Sequence, residues 1–253
     1  MPLRQPRPSA PAVVCALLLV AGCTTVGGSA DRAGPGRELS AAELRAAAVA
    51  DADLGPGYTV TVMTSGHGET GSGGAREVSG LPACQPLLDA VTPAVPPGAA
   101  SASPGPGAPY AETDLGVARA ADPQGGVYGG LLGYRAGRAA QLQAELEKLF
   151  GPCASFTSTA PPPVDKARKG VRTRYRLSRE DAPTPGGADA VTGFTLTNES
   201  GSVMLSRRAV LVRVGPALAV FTTVGVGAEP ATAPDERIVR QQVAKLRAAQ
   251  AKR

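Results

Sequence analysis

Apolar and polar residues alternate along much of this chain, and a period of two is the pattern of β-strands with one buried face. The clearest example is residues 171–177, in which Val, Thr, Tyr and Leu alternate with Arg172, Arg174 and Arg176. This pattern predicts a strand with all of these guanidinium groups on one face. Strand patterns also occur at 58–63, 110–120, 127–135, 154–159, 191–197, 202–214 and in the apolar arm that follows the Gly215-Pro216 turn.

A period near 3.6 predicts helices between these strands. Ser40 and Glu43 form a capping-box pattern at the start of a helix over 40–53. Three further helices are predicted: one that begins near Pro82, one over 138–150, and one that begins near Thr232. This mixture predicts an α+β fold, with one antiparallel sheet of about five to seven strands and helices packed on one face.

The N-terminus has the features of an export signal. Arg4 and Arg7 precede an apolar run over 12–21, and small residues precede Cys23. The run is shorter than the ~20 apolar residues that a membrane-spanning helix needs. Val20-Ala-Gly-Cys23 resembles the lipobox of bacterial lipoproteins, whose cysteine is acylated and becomes the mature N-terminus. We therefore expect a lipid anchor on Cys23 that holds the protein on the extracytoplasmic face of the cell membrane. The alternative is an ordinary cleaved signal.

Two segments have no apolar period and are rich in small residues and glycine or proline. Residues 23–37 are expected to be a flexible tether, and residues 92–109 a surface loop. The rest of the chain is long enough for one domain. The predicted organisation is a signal peptide over 1–22, the tether, and a single α+β extracytoplasmic domain over 38–253.

The cysteines predict a disulfide. Cys15 would leave with the signal peptide and Cys23 would carry the lipid, so Cys84 and Cys153 remain. An even pair in an exported domain is typical of a disulfide, and two free buried thiols are the alternative. A metal site would need more ligands, since His67 is the only histidine of the chain. We expect no metal and no cofactor.

Charge and motifs argue against several classes of protein. The formal net charge is +5 over 253 residues, too weak a field to predict nucleic-acid binding. The Gly-rich stretch 64–74 around His67 lacks the order of a phosphate-binding loop. The sequence has no Gly-x-Ser-x-Gly nucleophile motif. We therefore assign no catalytic residue and expect a protein that is not an enzyme.

Several short features together resemble a known group of proteins. They are the lipobox, the Asp51-Ala-Asp-Leu-Gly-Pro-Gly-Tyr58 turn into a strand, the pair Cys84 and Cys153, and a Val-Arg-Val-Gly hairpin before a Val-Ala-Lys-Leu helix. The chain resembles actinobacterial surface lipoproteins and is loosely similar to the extracellular sensor-like domain of mycobacterial serine/threonine kinases and related lipoproteins. The resemblance implies an α+β domain with a ligand-binding cleft. It carries over no functional residue, because this chain has one predicted disulfide rather than two.

The leading hypothesis is a non-enzymatic ligand-binding or sensor-like domain in the cell envelope. Its candidate contact surface is Arg172, Arg174 and Arg176, because guanidinium groups bind phosphate and carboxylate bidentately. Three further arginines could extend that surface: Arg207, Arg208 and Arg213. The expected partners are anionic lipid, an anionic envelope polymer or another envelope protein. The alternative for these arginines is a merely solvated sheet face.

Two other functions fit the same sequence. One is a hydrolase of envelope polymers, which would use a pair of carboxylates. The other is an assembly or scaffold lipoprotein whose client is another envelope protein.

The lipid anchor generates the first testable prediction. Cys23→Ala should release the protein from the membrane fraction, because the thiol that would carry the two acyl chains is lost. Fractionation of cells followed by immunoblotting measures this release. Continued membrane retention of the variant would overturn the lipobox interpretation.

Overall fold

The computed structural model describes residues 36–63, 77–91, 109–160, 170–199 and 204–252. In these segments the alternating patterns form nine strands in one antiparallel sheet. The strands are β1 (Tyr58–Met63), β2 (Val78–Ser79), β3 (Ala111–Arg119), β4 (Asp122–Gly133), β5 (Ser155–Ala160), β6 (Val171–Glu180), β7 (Ala190–Asn198), β8 (Leu205–Val214) and β9 (Ala217–Val226). Their order across the sheet is β1-β3-β4-β9-β8-β7-β6-β5-β2. The prediction of an antiparallel sheet is confirmed.

The sheet has more strands than the five to seven predicted. The strand that the patterns did not predict is β2, which pairs Val78 and Ser79 with Thr159 and Ser158 of β5 at one edge. A two-residue strand is too short to display a period, so its pairing depends on tertiary contacts. The turn at Gly215-Pro216 lies between β8 and β9, as predicted.

Helices occupy the segments between the strands. They are α1 (Ala41–Ala46), α2 (Asp51–Leu54), α3 (Gln85–Val91), α4 (Arg138–Leu149) and α5 (Glu236–Ala251). The capping box is present, since the Ser40 hydroxyl accepts from the Glu43 N–H at 3.3 Å and the Glu43 carboxylate accepts from the Ser40 N–H at 2.8 Å. The single helix predicted over 40–53 is instead two short helices, α1 and α2.

Strand β8 shows how the core is divided. Val210, Val212 and Val214 belong to one apolar cluster, whereas Ala209 and Leu211 belong to another. Alternate residues of a strand point to opposite faces of the sheet. We call the face of the even-numbered β8 residues face A and the other face B, and each face therefore has its own core.

The helices pack on both faces rather than on the one face predicted. Leu44 of α1, Leu54 of α2 and Val243 of α5 lie in the cluster on face A. Leu87 of α3 and Leu146 of α4 lie in the cluster on face B. An apolar stripe along a helix shows that one side is buried, but it does not show which face of a sheet that side meets.

The predicted disulfide is present in the core on face B. Cys84 and Cys153 are bonded, with their Cα atoms 5.8 Å apart, and both are buried. Cys84 immediately precedes α3, and Cys153 follows the end of α4. The bond therefore ties these two helices together across a sequence separation of 69 residues.

Several sequence predictions lie outside the described residues. They are the signal peptide over 1–22, Cys23, the tether except for residues 36 and 37, His67, and the loop over 92–109 except for Pro109. Where the structure describes the chain, no helix is long and apolar enough to cross a membrane.

Gln242 explains the break between α1 and α2 and provides a test of the fold. Its fully buried amide donates to the Ala47 carbonyl at 2.7 Å and accepts from the Val49 N–H at 3.0 Å.

Gln242→Leu leaves both backbone groups unpaired, so the free energy of unfolding should fall by about 2–4 kcal/mol. Urea unfolding measures this change. The control is Gln241→Leu at the neighbouring exposed position, which should change the free energy of unfolding by less than about 0.5 kcal/mol. Equal losses in the two variants would contradict this role for Gln242.

Candidate functional site

The outer strands β5, β6 and β7 present a polar surface on face A. The helices on this face contact β1, β3, β4, β8 and β9. In β6 the residues Thr173, Tyr175 and Leu177 are buried towards face B, whereas Arg172, Arg174 and Arg176 are exposed. The predicted division of this strand into an arginine face and a buried face is therefore confirmed. Burial of Tyr175 and Leu177 under α3 and α4 is what orients the arginines outward.

Each of these arginines lies opposite a hydroxyl residue of β5. The cross-strand pairs are Arg172 with Thr159, Arg174 with Thr157 and Arg176 with Ser155. The Arg172 guanidinium also donates diagonally to the Thr157 hydroxyl, at a long distance of 3.5 Å between Nη2 and Oγ1. We call these six residues the arginine–hydroxyl row. They form two adjacent lines of hydrogen-bond donors on an exposed part of the sheet.

Two ion pairs border the arginine–hydroxyl row. The guanidinium of Arg176 lies 2.6 Å from the Glu199 carboxylate, and the Arg176 side chain is 67% exposed. Arg208 of β8 lies on the same face and approaches Glu180 at 3.6 Å. Ion pairs of exposed side chains contribute about 0–1 kcal/mol, because water screens them and the long side chains lose entropy. Arg176 is such a side chain, whereas Arg208 and Glu180 are only 22% and 28% exposed. Arg176 can therefore exchange its carboxylate partner for an external anion at little cost.

The other candidate arginines do not all join this surface. Only Arg208 does, because Arg207 and Arg213 are odd-numbered residues of β8 and point to face B. Arg213 is bound there to Gln143 of α4 and to Asp189, both at 3.3 Å. The Nη1 atom of Arg207 is buried and makes no hydrogen bond within the described residues. The expectation that Arg207 and Arg213 extend the contact surface is wrong, since a period of two separates neighbouring arginines.

Face B carries an internal polar cluster that supports the sheet edge. The Tyr175 hydroxyl donates to the Glu77 carboxylate at 3.1 Å, and the Ser158 hydroxyl contacts the same carboxylate. Burial, and secondarily the charge of Glu77, raise the pKa of Tyr175 to about 12. Tyr175 therefore stays neutral and keeps donating. This cluster joins β5 and β6 to the segment that leads into β2.

The structure offers no large enclosed cleft among the residues it describes. A shallow cavity of about 230 Å³ lies between α4 and strands β7 and β8. Its polar groups satisfy one another, since Gln143 donates to Thr192 at 3.0 Å and Thr192 donates to Glu147 at 2.7 Å. A second hollow of about 310 Å³ lies between α2 and β1. Sites for drug-sized molecules usually measure about 300–1,000 Å³ and bury most of the ligand, so these open hollows are poor candidates.

Acidic residues do not assemble a metal site in the described segments, where no cluster of three or more His, Cys, Asp or Glu side chains could hold an ion. The carboxyl pair Glu112 and Asp114 lies two residues apart on one face of β3. Burial, and secondarily the charge of Asp114, raise the pKa of Glu112 to about 7. This pair has the residue types that a hydrolase would use, but two carboxyls alone do not define a site.

Comparison with known proteins does not assign the chain to a family. No family model matches the chain, and no curated protein is similar to it.

Glu112 should make the stability of the fold depend on pH. Its folded pKa of about 7 lies above the value of 4.5 for an unperturbed glutamate, so the folded state favours the protonated carboxyl. The associated stability is complete below about pH 4.5 and is lost as pH rises through 7. Glu112→Gln should therefore match the parent protein at pH 4 and be more stable at pH 8, by on the order of 1 kcal/mol after allowance for solvent screening.

Thermal or urea unfolding at both pH values checks this prediction. Exposed Glu229 is the control, and Glu229→Gln should leave the pH dependence unchanged. If Glu112→Gln gave no gain at pH 8, the environment assigned to Glu112 would be incorrect.

Proposed function

We propose that this chain is a lipid-anchored extracytoplasmic protein of the cell envelope that binds an anionic envelope component without catalysis. The observation that carries the proposal is the arginine–hydroxyl row, an exposed line of arginines opposed by hydroxyl residues on the outer strands of face A. The lipid on Cys23 would hold this surface close to the phosphate and carboxylate groups of lipids and wall polymers.

The residues opposite the arginines support a binding surface over a merely solvated one. Cross-strand positions often carry opposite charges, which stabilise a sheet by roughly 0.2–1 kcal/mol per pair. Here Arg172, Arg174 and Arg176 instead face a serine and two threonines of β5. Hydroxyl groups do not neutralise a guanidinium, and they can donate further hydrogen bonds to the same anion. The local surface is therefore rich in hydrogen-bond donors, and two carboxylates, Glu199 beside Arg176 and Glu180 beside Arg208, lie at its border.

Guanidinium chemistry determines which ligands fit this surface. Arg presents a planar fork of N–H donors that matches phosphate and carboxylate oxygens, and it is charged at every physiological pH. An exposed flat row suits a ligand that lies along the surface better than a small molecule that needs enclosure. An anionic lipid surface or an anionic wall polymer meets both conditions.

The arginine row gives the central functional prediction. Arg172→Gln, Arg174→Gln and Arg176→Gln combined should weaken retention on vesicles rich in anionic phospholipid and on isolated cell walls by roughly a hundredfold. This magnitude follows from about 1 kcal/mol per arginine near an anionic surface. Co-sedimentation at fixed ionic strength measures retention, and vesicles of zwitterionic lipid give the background.

The matched control removes the same charge from helices. Arg45 of α1 and Arg237 and Arg240 of α5 are also exposed, and their combined change to Gln should leave most of the retention intact. Equal losses in the two triple variants would mean that only total charge matters. Unchanged retention in the variant of the β6 arginines would refute the contact surface, and crosslinking in intact cells would then test the assembly function with a protein client.

A further inference from the structure

We propose that the ligand of this surface is a linear polyanion with repeating phosphate groups, which lies along β6 with one phosphate at each arginine–hydroxyl pair. The inference rests on the proposed function and specifies the chemical form of its ligand. It follows from three features of the arginine–hydroxyl row: its spacing, its straight course along one strand, and its pairing of two kinds of donor.

The first feature is the spacing of the charges. Residues i and i+2 of an antiparallel strand lie about 6.8 Å apart, so the row from Arg172 to Arg176 spans about 13–14 Å. The ladder with β5 fixes the spacing of the Cα atoms along this row, and β7 pairs with β6 from Tyr175 onwards. A chain whose phosphates recur at this interval, or at a fraction of it as in inorganic polyphosphate, can meet all three guanidinium groups at once.

The second feature is that the charges lie in a line and not in a ring. Three arginines that converged on one point would bind a single multivalent anion. Arg172, Arg174 and Arg176 instead follow one strand, and each has its own cross-strand neighbour on β5. Connected phosphates then bind more tightly than separate ones, because the first contact raises the effective concentration of the next.

The third feature is the pairing of guanidinium and hydroxyl donors. Directly opposed side chains have Cβ atoms about 4.5–5.5 Å apart, so both members of a pair can reach one phosphate. The contact between Arg172 and Thr157 directs one guanidinium group towards the hydroxyl line. Arg176 is directed to Glu199 and would exchange that carboxylate for a phosphate. Phosphate oxygens accept several hydrogen bonds, and nucleic-acid backbones are held by arginine together with serine and threonine hydroxyls. Each pair therefore forms one phosphate position of the row.

Calorimetric titration of the full-length protein with orthophosphate, tripolyphosphate and a longer inorganic polyphosphate tests this inference. Affinity should rise by roughly a hundredfold from orthophosphate to a chain that spans the row, because the added contacts are intramolecular. A further increase in chain length should add much less. The rise should disappear when Arg172, Arg174 and Arg176 are changed to Gln.

An uncharged variant separates the row from diffuse attraction between charges. Ser155→Ala, Thr157→Val and Thr159→Val combined leave the net charge unchanged but remove the hydroxyl line, and should weaken binding of the longer chain by roughly tenfold. The control is Thr59→Val with Thr61→Val, two exposed positions of β1, which should have no effect.

The outcomes distinguish this inference from the proposed function. Length-dependent binding that needs both the arginines and the hydroxyls supports the linear phosphate polymer. If affinity did not rise with length, or if the hydroxyl variant bound as the parent does, the inference would be wrong. Retention on anionic vesicles that still required the β6 arginines would then leave the proposed function standing. Loss of all dependence on those arginines, for vesicles and polyphosphate alike, would overturn both.

Discussion

In the segments that the structure describes, the fold depends on one constraint: a sheet of nine strands buries an apolar core on each of its two faces against a small number of helices. Strand β8 is central, because its even-numbered valines pack under α1, α2 and α5 while Ala209 and Leu211 pack under α3 and α4. The two groups of helices cover opposite faces at different parts of the sheet. Each face therefore has a covered part with an apolar core, and an outer part that the helices of the described segments do not cover. The arginine–hydroxyl row occupies such an outer part on face A.

This division gives the orientation of the β6 arginines a structural reason. Tyr175 and Leu177 must point to face B to reach the core around the disulfide, and strand geometry then directs their neighbours to face A. A hydrophilic residue is sufficient there for solubility, so the fold does not demand arginine. Arginines at these positions, opposite hydroxyl residues of β5, are the feature on which the proposed recognition of an anion rests. The hollow beside α4 has the reverse character, because its polar groups already bind one another.

Much of the fold could be predicted where a pattern was long and local. The alternation of residues 171–177 identified the faces of β6, and the helix predicted over 138–150 matches α4 (Arg138–Leu149). The elimination that left Cys84 and Cys153 identified the disulfide. Tertiary features could not be predicted in this way: β2 is too short to show a period, and α1 ends where Gln242, distant in sequence, binds Ala47 and Val49. The alternation within β8 separates Arg208 from Arg207 and Arg213, but only the tertiary fold shows which face of the sheet each of them meets.

The most direct test of the account is to locate the residues that an added anion contacts. Amide chemical-shift mapping by NMR of the purified protein during titration with tripolyphosphate locates that contact residue by residue. The account predicts that the largest changes fall on residues 155–159 of β5 and 172–176 of β6, with little change in α1 and α5. Changes centred on the cavity between α4 and β7, or spread evenly over exposed arginines of the helices, would contradict it.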